Sequence, residues 1–182
     1  SLGQAGIAAG IGFGAGAVMG GAIGYTYAAG MQDVLHGFDT KGYNSSLSRY
    51  QQLYGKLNAA EKAFVRQHPI ASYKILQAGE KAWSFAHGSG LSGFANDGPA
   101  DAARHAAWGA YSSRRVGDRL ALDYLTRHET FTGNPPGQFQ MDMFNNRVGV
   151  ALGVDQAKHS STVENIVMDA YNNNQLQNGL VK

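Results

Sequence analysis

The 182-residue chain contains no cysteine. A disulfide framework and a thiolate metal site are therefore excluded. A chain without thiols also crosses between redox compartments without mispairing. Charge is scarce as well. Asp, Glu, Lys and Arg make up 15% of the residues, against roughly a quarter in ordinary domains. The formal net charge is only +2, too small to argue for nucleic-acid binding. The chain opens on Ser1 without a basic stretch. No ordinary secretory signal peptide is expected, and the sequence reads as a piece of something larger. Beyond Asp33 no run alternates apolar and polar residues with the period of a strand.

The charge deficit is concentrated at the start. No charged residue precedes Asp33, and the stretch Ala5 to Gly30 is long enough to span a bilayer as a helix. Gly12, Gly16, Gly20 and Gly24 recur every fourth residue, after an earlier pair, Gly6 and Gly10. On a helix this period makes a flat stripe along which two helices approach closely in a membrane. In water each of these glycines costs a helix about 1 kcal/mol relative to alanine. Residues 1–32 are therefore expected to form a glycine-zipper, membrane-active segment that inserts conditionally. A segment packed on the domain and a plain linker are the competing readings. Residues 33–56 are expected to connect it, as a helical region, to a compact helical domain over 57–171. Residues 172–182 form a polar tail expected to fray.

Helix signals dominate the domain. Asn58-Ala-Ala-Glu61 reads as a capping box, with Leu57 just ahead of it. Pro69 suits the first position of a second helix running toward Trp83 or Phe85. The Gly/Ser-rich stretch from His87 to Gly98 reads as a loop. A third helix is expected from Pro99 to about Arg115, and a fourth from about Asp118 to Phe131. Gly133-Asn-Pro-Pro-Gly137 marks a turn. A fifth helix is expected from about Phe139 to Leu152. A last amphipathic piece runs from Thr162 to Tyr171, with Val163, Ile166, Val167 and Ala170 on one side. The expected class is all-α.

Three of these helices carry polar residues at spacings that place them together. Asp101 and His105 are four apart and share a face of the third helix. Such a pair can bind a metal jointly, or the carboxylate can orient the imidazole and raise its basicity. Arg104 lies three after Asp101 and can pair with it or bind an anionic substrate group. His128 falls on an apolar stripe with Ala121, Tyr124 and Leu125, and Glu129 beside it suits a general acid or base of raised pKa. On the fifth helix Asp142 and Asn146 share a face, with Asn145 alongside, and Gly149 and Gly153 continue it without side chains. Amides buried without partners are costly, so this run points to ligation, substrate contact or cross-helix hydrogen bonds. The candidate catalytic set is Asp101, His105, His128, Glu129 and Asp142. Arg104, Trp108, Asn145 and Asn146 are the candidate substrate contacts. Asp101, His105, His128 and Asp142 are candidate ligands for a divalent Zn, Mn or Mg ion. A metal-free site, with His105 or His128 as base and Arg104 as anion clamp, is equally writable.

These pieces, in order, resemble a known domain. The carriers are Asn96-Asp-Gly-Pro-Ala-Asp101-Ala-Ala-Arg104-His105-Ala-Ala-Trp108, His128-Glu129, Asn134-Pro-Pro and Met141-Asp142-Met-Phe-Asn145-Asn146-Arg-Val-Gly149. They are similar to the motif set of an uncharacterised bacterial domain of secreted and wall-associated proteins. That domain also forms the C-terminal tips of polymorphic toxins, including Rhs-type proteins delivered by type VI secretion. The likeness covers about Leu57 to Gly153. Ala103 stands where a larger aromatic is common, and Phe144 where a polar residue, often His, is common. The resemblance implies delivery into a target bacterium and a cognate immunity protein as partner. Together with the polar site and the zipper, it leads to an antibacterial effector at the inner membrane or in the periplasm. The expected reaction is hydrolysis of a phospholipid or a lipid-linked cell-wall precursor. The alternatives are a pore-former driven by the zipper and, less favoured, a nuclease, for which Arg114-Arg115 is the one small basic spot.

Overall fold

Capping residues and prolines set where the helices begin. The computed structural model describes residues 54–93, 97–131 and 133–179. The glycine-zipper segment 1–32 and the connector up to residue 53 lie outside the described residues, as does Asn96. Among the described residues there is no strand, and the domain is all-α as expected. The helices are α1 (Ala59–Gln67), α2 (Pro69–Gly88), α3 (Pro99–Val116), α4 (Asp118–Glu129), α5 (Pro136–Val154) and α6 (Val163–Asn172). A 3-10 turn, Gln156–Lys158, precedes α6. None of the described helices is long and apolar enough to cross a membrane.

The chain divides into two units, residues 1–73 and 74–182, with the boundary inside α2. In the first, the capping box forms in full. Asn58 Oδ1 accepts from the Glu61 amide at 2.9 Å, and Glu61 Oε2 accepts from the Asn58 amide at 2.7 Å. Two of the amides that helix geometry leaves without partners are thereby satisfied. At the start of α2, Ser72 Oγ donates to the His68 carbonyl at 2.8 Å.

In the second unit α3 is the hub. It touches α4, α5 and α6, and Ala100, Ala102, Ala103, Ala106, Ala107 and Ala110 are all buried. Alanines on every side of a helix let several neighbours come close at once. Trp108 binds α2: its Nε1 donates to the Ile75 carbonyl at 2.9 Å. Gly79 faces the indole there, and a Cβ at that position would sit 3.1 Å from Nε1.

The tightest seam runs between α3 and α5. A Cβ on Gly149 would lie 2.0 Å from the Ala106 carbonyl oxygen. One on Gly153 would lie 2.5 Å from the Ala110 oxygen, and one on Gly109 would lie 2.6 Å from the Asn146 oxygen. No side chain fits at any of the three. Ser113 Oγ crosses the same seam to the Val150 carbonyl at 3.2 Å. Backbone-to-backbone contact of this kind fixes the register of the two helices within a fraction of an ångström.

Two expectations are corrected. α5 starts at Pro136, three residues before Phe139, because Pro136 occupies the first helical turn, where its missing N–H costs nothing. The tail does not fray through Gln177. Leu176 is buried, and the Gln177 backbone is held from both sides by the Asn145 side chain.

Candidate functional site

The α3–α5 seam changes character one turn beyond its glycines. There the stripe Gly153, Gly149, Asn146, Asp142 on α5 faces His105 on α3. His105 is fully enclosed. Its Nε2 lies 2.7 Å from Arg104 Nη2, 3.2 Å from Asp142 Oδ1 and 3.8 Å from Asp101 Oδ1. On the other edge of the ring, Nδ1 lies 3.3 Å from Asn146 Oδ1 and 3.5 Å from Glu129 Oε1.

These contacts assign the tautomer. A guanidinium only donates, so Nε2 must offer its lone pair to Arg104, and the proton sits on Nδ1. Nδ1–H then donates to Asn146 Oδ1. The Asn146 amide nitrogen in turn donates to Glu129 Oε1 at 3.2 Å. Asn146 thus accepts from one partner and donates to the other, which orients its amide. Burial, followed by the nearby charges of Arg104 and His128, pushes the His105 pKa well below its ordinary value. The ring is neutral at physiological pH.

Carboxylates crowd this ring. Asp101 receives Arg104 through Nε at 3.0 Å and Nη2 at 2.5 Å, and its Oδ2 accepts from the Asp97 amide at 3.1 Å. Asp97 itself has a φ of 65°, a left-handed conformation that Asp tolerates better than most residues. Its carboxylate accepts from Gln138 on α5 at 2.9 Å. Burial raises the Glu129 pKa, more than the His128 charge and the Asn146 hydrogen bond lower it. Burial, then repulsion from Glu129 and Asp101, pushes Asp142 up to about 7. Among the described residues, Asp142 Oδ1 is buried without a hydrogen-bond partner. Four acidic side chains thus surround one neutral imidazole and one guanidinium. Such a centre favours an added proton or cation.

Asp101, His105 and Asp142 each offer one ligand atom, and these atoms lie within 4.8 Å of one another. This buried group can hold a metal ion. Imidazole with two carboxylates suits a borderline or hard divalent ion. The Nδ1–H to Asn146 contact supplies the outer hydrogen bond that metal-binding histidines usually have.

The remaining sequence candidates are distributed less uniformly. His128 is not among the three atoms that converge; its ring stands edge-on to Trp108 with centroids 4.7 Å apart. Trp108 spends its N–H on Ile75 and is buried. Asn145 points away from His105, with Nδ2 on the Gln177 carbonyl at 2.8 Å and Oδ1 on the Gln177 amide at 2.9 Å. Phe144 is 44% exposed, and Ala103 is fully buried. Three participants were not singled out from the sequence. Asp97 and Gln138 belong to the acidic rim, and Trp83 lies under the Arg104 guanidinium, whose Cζ is 5.6 Å from the indole centroid. The aromatic beside a lone Arg is a weak signal, but Asp97 at the head of a helix whose first turn holds Asp101 was a readable one.

Fold and site together define an all-helical domain built around a buried histidine–carboxylate centre. Residues 62–178 match the family described as a domain of unknown function, DUF6973, and this chain belongs to that family. No curated protein and no solved structure matches it.

Proposed function

We propose that this domain is the hydrolytic part of an antibacterial effector, acting on a lipid-borne phosphate group at the inner membrane or in the periplasm of a target cell. A phospholipid or a lipid-linked wall precursor supplies that group. The observation that supports this reading is the convergence of Asp101, His105 and Asp142 on one buried point, with Asp142 Oδ1 lacking a partner.

Asp101, His105 and Asp142 would hold a divalent ion there. When bound, such an ion supplies Lewis-acid charge and a water nucleophile at neutral pH. The chain's own residues divide the remaining tasks. Asn146 fixes the His105 tautomer so that Nε2 faces the reaction centre. Glu129, buried and raised in pKa, holds Asn146 and buffers a proton on the far side of the ring. Arg104, 19% exposed, is the cation at the mouth, where an anionic phosphate would arrive. The scarcity of exposed basic clusters favours a lipid phosphate over a nucleic acid. A cognate immunity protein would be the protective partner in the producing cell.

The test is killing of a sensitive bacterium by the chain directed to cytoplasm or periplasm. His105→Ala and the His105→Ala/Asp142→Ala double variant are compared with wild type at matched folded levels. Loss of killing in the periplasm, with release of a phosphate-bearing lipid fragment only by wild type, is the expected result. Full killing by the folded double variant overturns the reading. If deletion of residues 1–32 then abolishes it, the activity belongs to the glycine-zipper segment as a pore-former.

A further inference from the structure

We infer that Arg104 is a gate on the cation site: its guanidinium occupies the place of the divalent ion and must swing out before one can bind. This inference rests on the proposed metal-holding role of Asp101, His105 and Asp142. It adds a regulatory step that the donor set alone does not imply.

A neutral imidazole has one free lone pair, here on Nε2, and Arg104 Nη2 takes it at 2.7 Å. A metal ion bound to the same nitrogen would lie at about 2.0–2.1 Å along the same direction. The two positions are less than a van der Waals radius apart, so occupancy is exclusive. The same Nη2 also takes Asp101 Oδ1 at 2.5 Å. Two of the three metal donors are thus already bound to one nitrogen of one arginine. The third, Asp142 Oδ1, is left without a hydrogen bond.

The guanidinium is placed to leave. Beyond its bonds to Asp101 and His105, its contact among the described residues is the face of Trp83, which is 51% exposed. Its own partial exposure means that rotation about the side-chain torsions carries it into water without unpacking the core. The Nδ1–H contact to Asn146 already leaves the Nε2 lone pair as the donor that a bound ion uses. Opening also delivers a positive charge to the mouth, where a phosphate would be met. Trp83 reports the motion, because an indole loses its cation–π partner when the arginine departs.

The experiment is titration of the metal-free full chain with MnCl₂ and with ZnCl₂, by calorimetry and by stopped-flow tryptophan fluorescence. Wild type is compared with Arg104→Ala, Arg104→Lys and Trp83→Phe. If the gate is open in about a tenth of molecules, apparent affinity is reduced about ten-fold. Arg104→Ala is then expected to bind about ten-fold tighter than wild type. The wild-type association rate should level off with rising metal concentration, at the opening rate, whereas that of Arg104→Ala, followed by competition with a chromophoric metal indicator because its Trp83 has no arginine to lose, should keep rising. The fluorescence change should vanish in Trp83→Phe, which attributes it to Trp83 rather than Trp108. Arg104→Lys, if Arg104→Ala fails to fold, should lose the levelling-off, since a lysine cannot span Asp101 and His105 as the guanidinium does. Binding by wild type and the Arg104 variants with equal affinity and no levelling-off overturns the gate and leaves the metal site standing. Absence of metal binding by both wild type and Arg104→Ala overturns the gate and the metal reading together.

Discussion

The seam between α3 and α5 has two halves that solve opposite problems with the same helix pair. In the glycine half, Gly109, Gly149 and Gly153 remove every side chain and let the backbones touch. In the polar half, His105, Asn146, Asp142 and Glu129 fill the gap with groups that each need a partner. The first half is tolerant of pH, salt and ligands but intolerant of a single methyl group. The second is sensitive to all of these. The comparison teaches that the site's geometry is not set by its own hydrogen bonds. It is imposed by the glycine half a turn away, which fixes the distance at which His105 and Asn146 meet.

The sharpest way to break this division is Gly149→Ala. The added Cβ would stand 2.0 Å from the Ala106 oxygen, and backbone cannot yield as a flexible side chain can. A loss of about 3 kcal/mol or more is expected, at or above the upper range for overpacking. Denaturant unfolding measures it. Any variant that still folds should hold α3 and α5 further apart and lose metal binding with its site residues intact. A stable Gly149→Ala protein with normal metal affinity would refute the claim that the glycine half sets the site.

The polar half is broken most directly by Asn146→Ala. That change strands His105 Nδ1–H and Glu129 Oε1 at once, both buried. A cost of about 2–3 kcal/mol is expected. The tautomer preference of His105, read by nitrogen chemical shifts, should weaken as well. Asn146→Asp should restore an acceptor for Nδ1–H but not a donor for Glu129, and so recover only the tautomer. Retention of the wild-type tautomer in Asn146→Ala would show that Arg104 on Nε2 and Glu129 near Nδ1 set it without Asn146.

Sequence spacing made most of this visible, for identifiable reasons. Asn58 with Glu61, and Pro69 and Pro99, are local signals, and local signals place helix starts; Pro136, in a Pro-Pro pair between glycines, fits a turn as well as a first helical turn, so the start of α5 was not legible. The i, i+4 pairs Asp101–His105 and Asp142–Asn146 are geometry that any helix enforces, so their faces could be read before their partners were known. What could not be read is which of two adjacent amides turns inward. Asn145 and Asn146 lie about 100° apart on a helix. Only the tertiary partners, Gln177 for one and His105 with Glu129 for the other, distinguish them. Trp83 joined the site through a contact between α2 and α3 that no local pattern encodes. His128 sets its ring edge-on to Trp108, yet stays near enough for its charge to act on His105 and Glu129.

The third way to sharpen the comparison uses pH, which should act on the polar half alone. Burial and its acidic neighbours hold Asp142 protonated up to about 7, whereas in an unfolded chain it ionises near its ordinary value of 3.8. Between those values the folded state binds more protons than the unfolded one. Wild-type stability in chelator should therefore fall as pH rises from about 4 to about 7. Asp142→Asn carries no titrating proton there. The variant should match wild type near pH 4 and exceed it by about 2 kcal/mol at pH 8, discounted for the partial exposure of Asp142. His105, with its lowered pKa, contributes a slope of the opposite sign, but it is common to both proteins. Saturating metal should reverse the order, because the ion stabilises only the chain that keeps its carboxylate. Parallel stability curves with and without metal would remove Asp142 from the centre.

The smallest expected effect tests where the polar half ends. Asn145→Ala removes two hydrogen bonds to the Gln177 backbone, a partly exposed pairing, and should cost about 1 kcal/mol. Hydrogen exchange should speed up from Asn172 to Gly179 while the amides of α3 stay protected. Metal affinity should remain as in wild type, since the Asn145 side chain faces the tail and Asn146 alone faces His105. A loss of metal affinity in Asn145→Ala would mean that the tail, pinned one residue from Asn146, supports the site after all. The polar half would then extend from Asp97 to the C-terminal segment.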